Sequence, residues 1–138
     1  MDPLEMAEIG NTGLRVTRLG LGGGPLGYRE DLGKVPDEVA VASIQHALEL
    51  GIRYVDTAPF YGRGRSEMVF AQALTDVPRD SYAISTKVGR MLTLNGSTDV
   101  DYSQITLEDL PELEVVFDYS RDAVLRSVEQ SLTRLNLS

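Results

Sequence analysis

Ile52-Arg53-Tyr54-Val55-Asp56-Thr57-Ala58-Pro59-Phe60-Tyr61-Gly62 is the stretch on which the fold turns. Its first five residues read as a strand, and the loop that follows leads towards a helix. On the amino-terminal side, the residues after Pro36 carry a helical pattern. Ala40, Ile44, Ala47 and Leu48 recur at i, i+4, i+7 and i+8 on one face. Asp37 and Glu38 favour the positive end of that helix, and Gly51 stands where a left-handed residue ends it.

The same alternation extends outward in both directions. Residues 7–17 read as a hairpin whose turn, Gly10-Asn11-Thr12-Gly13, tolerates positive φ. Leu19-Gly20-Leu21-Gly22 reads as a short buried strand running into the glycine-rich loop Gly22-Gly23-Gly24-Pro25-Leu26-Gly27. Beyond the central stretch, a second helix is expected from Ser66, as its N-cap, to about Leu74. Tyr82 to Lys87 is the next strand. Residues 88–119 read as a long acidic loop, with seven acids against one base, Arg90. Such loops are usually a flap over a site or disordered, and disorder is the expectation here. A third helix is capped by Ser120, expected to bury Leu125, Val128, Leu132 and Leu135, and ended by Asn136.

A hairpin followed by strand–helix three times is an α/β pattern with parallel strands and right-handed crossovers. Two architectures satisfy it: an open three-layer sheet, or the first part of a (β/α)8 barrel. A barrel takes about 250 residues, so this length corresponds to under half of one, within a single domain over 1–138.

Composition narrows the function. The net charge is −8, and the bases are scattered, so no surface is fitted to neutralise nucleic-acid phosphates. The chain has no cysteine, which excludes a thiol nucleophile or a cysteine metal site and fits a reducing cytoplasm. The opening residues lack the features of a signal peptide. No apolar run approaches the roughly 18 residues of a membrane span. A soluble cytoplasmic protein is the expectation.

Asp56 sits at the carboxyl end of its strand, the rim where α/β active sites gather, and Lys87 holds the same position on the next. Side chains at neighbouring strand ends can reach salt-bridge distance. Tyr61, five residues past Asp56, can reach over the same rim. A free tyrosine, with a pKa of about 10, exchanges its proton poorly near neutrality. An ammonium beside a phenol favours the phenolate, and an aspartate beside the ammonium keeps it charged and oriented. Such a trio suits proton exchange with a carbonyl or alcohol during hydride transfer. The plainer alternative is a simple Asp56–Lys87 ion pair with Tyr61 as a loop aromatic.

The order and spacing of several segments resemble the aldo-keto reductase family over residues 7–137. They are Gly10 to Val16 with Leu19-Gly20-Leu21-Gly22, Ala47 to Ala58, Tyr61-Gly62 with Ser66-Glu67, and Ser85-Thr86-Lys87. The resemblance implies the barrel: an amino-terminal hairpin and three βα units, ending before a fourth strand. It implies Tyr61 as general acid/base, Lys87 assisting it and Asp56 holding Lys87. It also implies an NADP or NAD cofactor, with Gly22, Gly23, Asp56 and Lys87 near its nicotinamide end and Pro25 and Tyr61 near the substrate. The glycine run is neither GxGxxG nor a Walker motif, so it is no phosphate loop by itself.

The family's fourth catalytic residue, a histidine at the end of the fourth strand, has no counterpart. The only histidine, His46, lies on the outer face of the first helix. Within the family, Gly22 to Gly27 and Val116-Phe117-Asp118-Tyr119-Ser120-Arg121-Asp122 look most like the aldose 1-dehydrogenase branch, which oxidises a sugar to a lactone. A general aldehyde or ketone reductase, or a non-catalytic regulatory module on the same fold, is the alternative. Arg63 and Arg65 read as solvated. The segment alone is expected to be inactive, and to self-associate or to pair with a carboxyl-terminal half.

Overall fold

The structure, a computed structural model, describes residues 2–27 and 35–138. The hairpin is present: β1 (Met6–Glu8) pairs antiparallel with β2 (Arg15–Thr17), and Gly10 and Gly13 in its turn have φ of 55° and 75°. Next come β3 (Leu21–Gly22), a 3-10 turn at Gly24–Leu26, and α1 (Asp37–Glu49). α1 buries Ala40, Ile44, Ala47 and Leu48, the expected face, and Gly51 ends it with φ of 100°.

β4 (Tyr54–Asp56) and β5 (Ala83–Ser85) complete a parallel three-stranded sheet in the order β3-β4-β5. Its register sets Gly22 against Asp56, and Asp56 against Ser85. Strand residues alternate between faces. Val55, wholly buried, joins Ile44, Leu48, Val69, Phe70 and Tyr82 in the core between sheet and helices. Tyr54 and Asp56 project from the opposite face.

α2 (Arg65–Leu74) packs against both α1 and α3 (Arg121–Leu135). Two expectations about these helices are corrected. Ser66 is not the N-cap of α2. The cap is Gly64, with φ of 97°, because Gly62, Arg63 and Gly64 all adopt left-handed backbone and turn the chain into the helix two residues early. This frees the buried Ser66 hydroxyl to donate to the Gly23 carbonyl at 2.9 Å.

The caps of α3 are as expected, with Ser120 accepting from the Ala123 amide and Asn136 at φ of 53°. Its buried face is not. Leu125 and Val128 are 47% and 38% exposed, Leu132 is half-buried, and only Leu135 of the expected four is in the core. The buried stripe is Ala123, Ser127, Gln130, Ser131 and Arg134. Small side chains let the helix approach closely, and Arg134 reaches the fully buried carboxylate of Glu67, so an ion pair sets the rotation of α3.

Residues 88–119 are also ordered more than their composition suggested. They hold an antiparallel hairpin, β6 (Arg90–Thr93) with β7 (Glu114–Phe117), and a 3-10 turn at Tyr102–Gln104. Leu92, Tyr102 and Leu113 form a second small core that supports the arm from within. The acids lie outside that core, which is why net charge alone misled.

Candidate active site

The three candidate side chains meet at the carboxyl ends of the parallel strands. Lys87 Nζ donates to Asp56 Oδ2 at 2.7 Å and to the Thr57 carbonyl at 2.9 Å. The same nitrogen lies 4.7 Å from the centre of the Tyr61 ring. Partial burial of Lys87 works against its charge. The hydrogen bonds and charges of Asp56 and Tyr61 outweigh it, so the ammonium titrates above the ordinary lysine value.

Local sequence explains each placement. Asp56 ends β4 on the face opposite Val55, and Lys87 stands two residues beyond Ser85, hence on the same face of the extended chain. The Tyr61 loop closes on itself: the Tyr61 amide bonds the Ala58 carbonyl, and the Gly64 amide bonds that of Pro59. Close packing against the glycine run then holds it. A Cβ on Gly27 would lie 2.5 Å from the Tyr61 carbonyl carbon, and one on Gly23 would lie 2.5 Å from Ser66 Oγ.

Tyr61 and Lys87 line a cavity of about 300 Å³ with Ala58, Pro59, Phe60, Val88, Arg90 and Tyr119. Among the described residues that line it, three are aromatic and none is a carboxylate. Arg90 crosses the cavity rim, its guanidinium 4.4 Å from the Phe60 ring and 5.3 Å from that of Phe117, so it clasps the β6–β7 arm to the Tyr61 loop. A larger groove of about 530 Å³ lies between α2, α3 and residues 105–109, but none of the trio borders it. Chemistry, not size, selects the smaller one.

The other candidates divide. Gly22 lies opposite Asp56, and a Cβ there would meet none of the described residues within 4 Å. Gly23 is buried; its amide donates to the Asp56 carbonyl at 2.7 Å, tying the glycine run to β4. Pro25 is exposed on the 3-10 turn and does not line the cavity. His46 is a surface residue beside Glu49, as expected.

Of the two arginines read as solvated, one is buried and the other, its side chain 47% exposed, is solvated but tethered. Arg65 is buried and donates to the carbonyls of Leu26, Gly27 and Val35 and to Asp37. Arg63 donates to the Leu113 carbonyl at 2.8 Å. Carbonyls turned inward by the loops required donors, and these two supplied them.

Two residues at the site went unnoticed in the sequence. Ser85 donates to Asp56 Oδ1 at 2.6 Å, and the Tyr54 and Ser85 hydroxyls are 3.0 Å apart. The signal was available: each precedes a trio member by two, the strand repeat.

The aldo/keto reductase family profile matches residues 18–138. The chain belongs to the aldo/keto reductase family. L-galactose dehydrogenase of Arabidopsis thaliana is 35% identical over an alignment of 139 positions that covers 99% of this chain and 36% of that protein. D-threo-aldose 1-dehydrogenase of a Pseudomonas species is 34% identical over an alignment of 132 positions that covers 91% of this chain and 38% of that protein. An aldo-keto reductase structure from Bacillus halodurans superposes with a TM-score of 0.72 at 28% identity, covering 96% of this chain and 37% of that one. The chain thus spans well under half the length of the relatives it matches, and its α/β fold is the amino-terminal part of the family's barrel.

The residues described leave room for a cofactor at this rim: a Cβ on Gly22, opposite Asp56, meets none of them within 4 Å, and the Asp56 and Lys87 side chains are 35% and 47% exposed.

Proposed function

We propose that the intact protein is an NAD(P)-dependent oxidoreductase that oxidises the anomeric hydroxyl of an aldose to a lactone. The observation that carries this reading is the Lys87 ammonium, bonded to Asp56 and held over the Tyr61 ring at one cavity. NAD or NADP, held beside Gly22 and Asp56, would supply the acceptor for the hydride that leaves the carbon bearing the hydroxyl. Tyr61 takes the hydroxyl proton, or returns it in the reverse reaction. Lys87 balances the charge that develops on the phenol oxygen, and Asp56 keeps Lys87 in place. Phe60, Tyr61 and Tyr119 offer ring faces to the C–H faces of a sugar. The similarity to L-galactose and D-threo-aldose dehydrogenases supports a sugar over other carbonyl compounds.

Residues 1–138 by themselves are proposed to be inactive, for want of a histidine at the rim. The outer edge of β5 has no strand partner among the described residues, which favours self-association of that piece. The test is turnover of L-galactose and related aldoses by the intact protein with NAD and NADP, followed by nicotinamide absorbance. Tyr61→Phe should abolish it. Full turnover by Tyr61→Phe would refute the role given to Tyr61.

A further inference from the structure

We propose that Ser85 and Tyr54 are positioning residues for the reaction, forming a directional hydroxyl relay that fixes the Asp56 carboxylate for Lys87. The inference rests on the reading of Asp56, Lys87 and Tyr61 as the proton machinery.

An ionised carboxylate only accepts hydrogen bonds. Asp56 Oδ2 takes the Lys87 ammonium at 2.7 Å, so Oδ1 must find a separate donor. Ser85 Oγ supplies it at 2.6 Å. That commits the single serine proton. Towards Tyr54, 3.0 Å away, Ser85 can therefore only accept, and the Tyr54 phenol must donate. The order Tyr54 to Ser85 to Asp56, with Lys87 arriving from the other side, follows from proton counting alone.

The relay is built into the sheet. Tyr54 and Asp56 share a face of β4, Ser85 stands level with Asp56 on β5, and Lys87 follows on the same side. Tyr54 is itself seated by a missing side chain: a Cβ on Gly20 would lie 2.8 Å from Tyr54 Cδ1. Glycine just before the neighbouring strand β3 leaves room for the ring to lie across it.

Position matters here because charge alone is weak. The Asp56 and Lys87 side chains are 35% and 47% exposed, so water screens their attraction and leaves the carboxylate free to rotate. A second hydrogen bond to Oδ1 removes that rotation and keeps Oδ2 aimed at the ammonium.

In a [13C]lysine-labelled sample of the intact protein the lysine Cε resonances can be titrated, and Lys34→Arg and Lys87→Arg assign the two that belong to residues 1–138. Ser85→Ala should lower the Lys87 midpoint towards the ordinary lysine value and leave the Lys34 midpoint unmoved. Ser85→Thr, which keeps the hydroxyl, should restore it, and Tyr54→Phe should give a smaller shift in the same direction. In the intact protein, Ser85→Ala should lower kcat by about tenfold, the worth of one hydrogen bond, with KM little changed. An unchanged Lys87 midpoint in folded Ser85→Ala would overturn the proposal, whether or not the protein turns over an aldose. Should Ser85→Ala fail to fold, an unchanged midpoint in Tyr54→Phe together with unchanged kcat overturns it. Absence of turnover in the unsubstituted protein with the midpoint shifts intact would instead count against the sugar-dehydrogenase reading.

Discussion

Arg134 of α3 and Glu67 of α2 form an ion pair of 2.6 Å whose side chains are 1% and 0% exposed. The other Glu67 oxygen accepts the Thr86 hydroxyl at 2.6 Å, next to Lys87. Removing one partner of such a pair leaves a charge buried without compensation, at a cost of about 3–5 kcal/mol. Arg134→Met and Glu67→Gln should each destabilise on that scale in urea unfolding. The double variant should cost less than the sum of the two, because no lone charge remains.

Lys87 provides a pH test. Its charged form is favoured in the fold, since Asp56 and Tyr61 outweigh the cost of partial burial. A folded value above the unfolded one contributes stability that is fully present below the ordinary lysine range. That contribution is lost as pH rises through the folded value. The stability difference between the unsubstituted protein and Lys87→Met should therefore shrink on going from neutral pH to strongly alkaline pH. A difference that stays constant would show that Lys87 gains nothing from its partners.

Neighbouring glycines should respond in opposite ways to alanine. At Gly27 the new methyl would strike Tyr61 and Gly62 backbone, within 2.6 Å, and backbone cannot swing aside. Gly27→Ala should cost about 1–3 kcal/mol and displace the Tyr61 loop. Gly22→Ala meets open space, so stability should move by less than about 0.5 kcal/mol. Cofactor affinity of the intact protein should nevertheless fall. Unchanged affinity would remove Gly22 from the cofactor's contacts.

The rotation of α3 can be read from substitution. Leu125→Ala should change unfolding free energy by no more than about 0.5 kcal/mol, as at a surface position. Ser127→Leu, forced into a buried face of α3, should cost about 1–3 kcal/mol. The reverse ranking would restore the face expected from hydrophobic pattern.

That contrast marks what sequence could and could not convey. The strand–helix alternation, the α1 face and the Gly51 and Asn136 terminators were legible because each depends on neighbours within a turn or two. The meeting of Asp56, Tyr61 and Lys87 was legible through strand-end placement and family spacing. The rotation of α3 was not, because it is set by Glu67, 67 residues before Arg134. Hydrophobic periodicity gives no sign of a buried charge seeking its partner. The roles of Arg63 and Arg65 were hidden for the same reason: their acceptors are carbonyls, which every residue has.

Arg65 has a consequence for how the rim can change. One guanidinium holds the carbonyls of Leu26 and Gly27 on one side, and that of Val35 with the Asp37 carboxylate on the other. The glycine run and the first turn of α1 are thus moored to α2 by one side chain. A single buried guanidinium acts as a keystone there: the rim on that side cannot shift by itself, and its settling waits on the docking of α2.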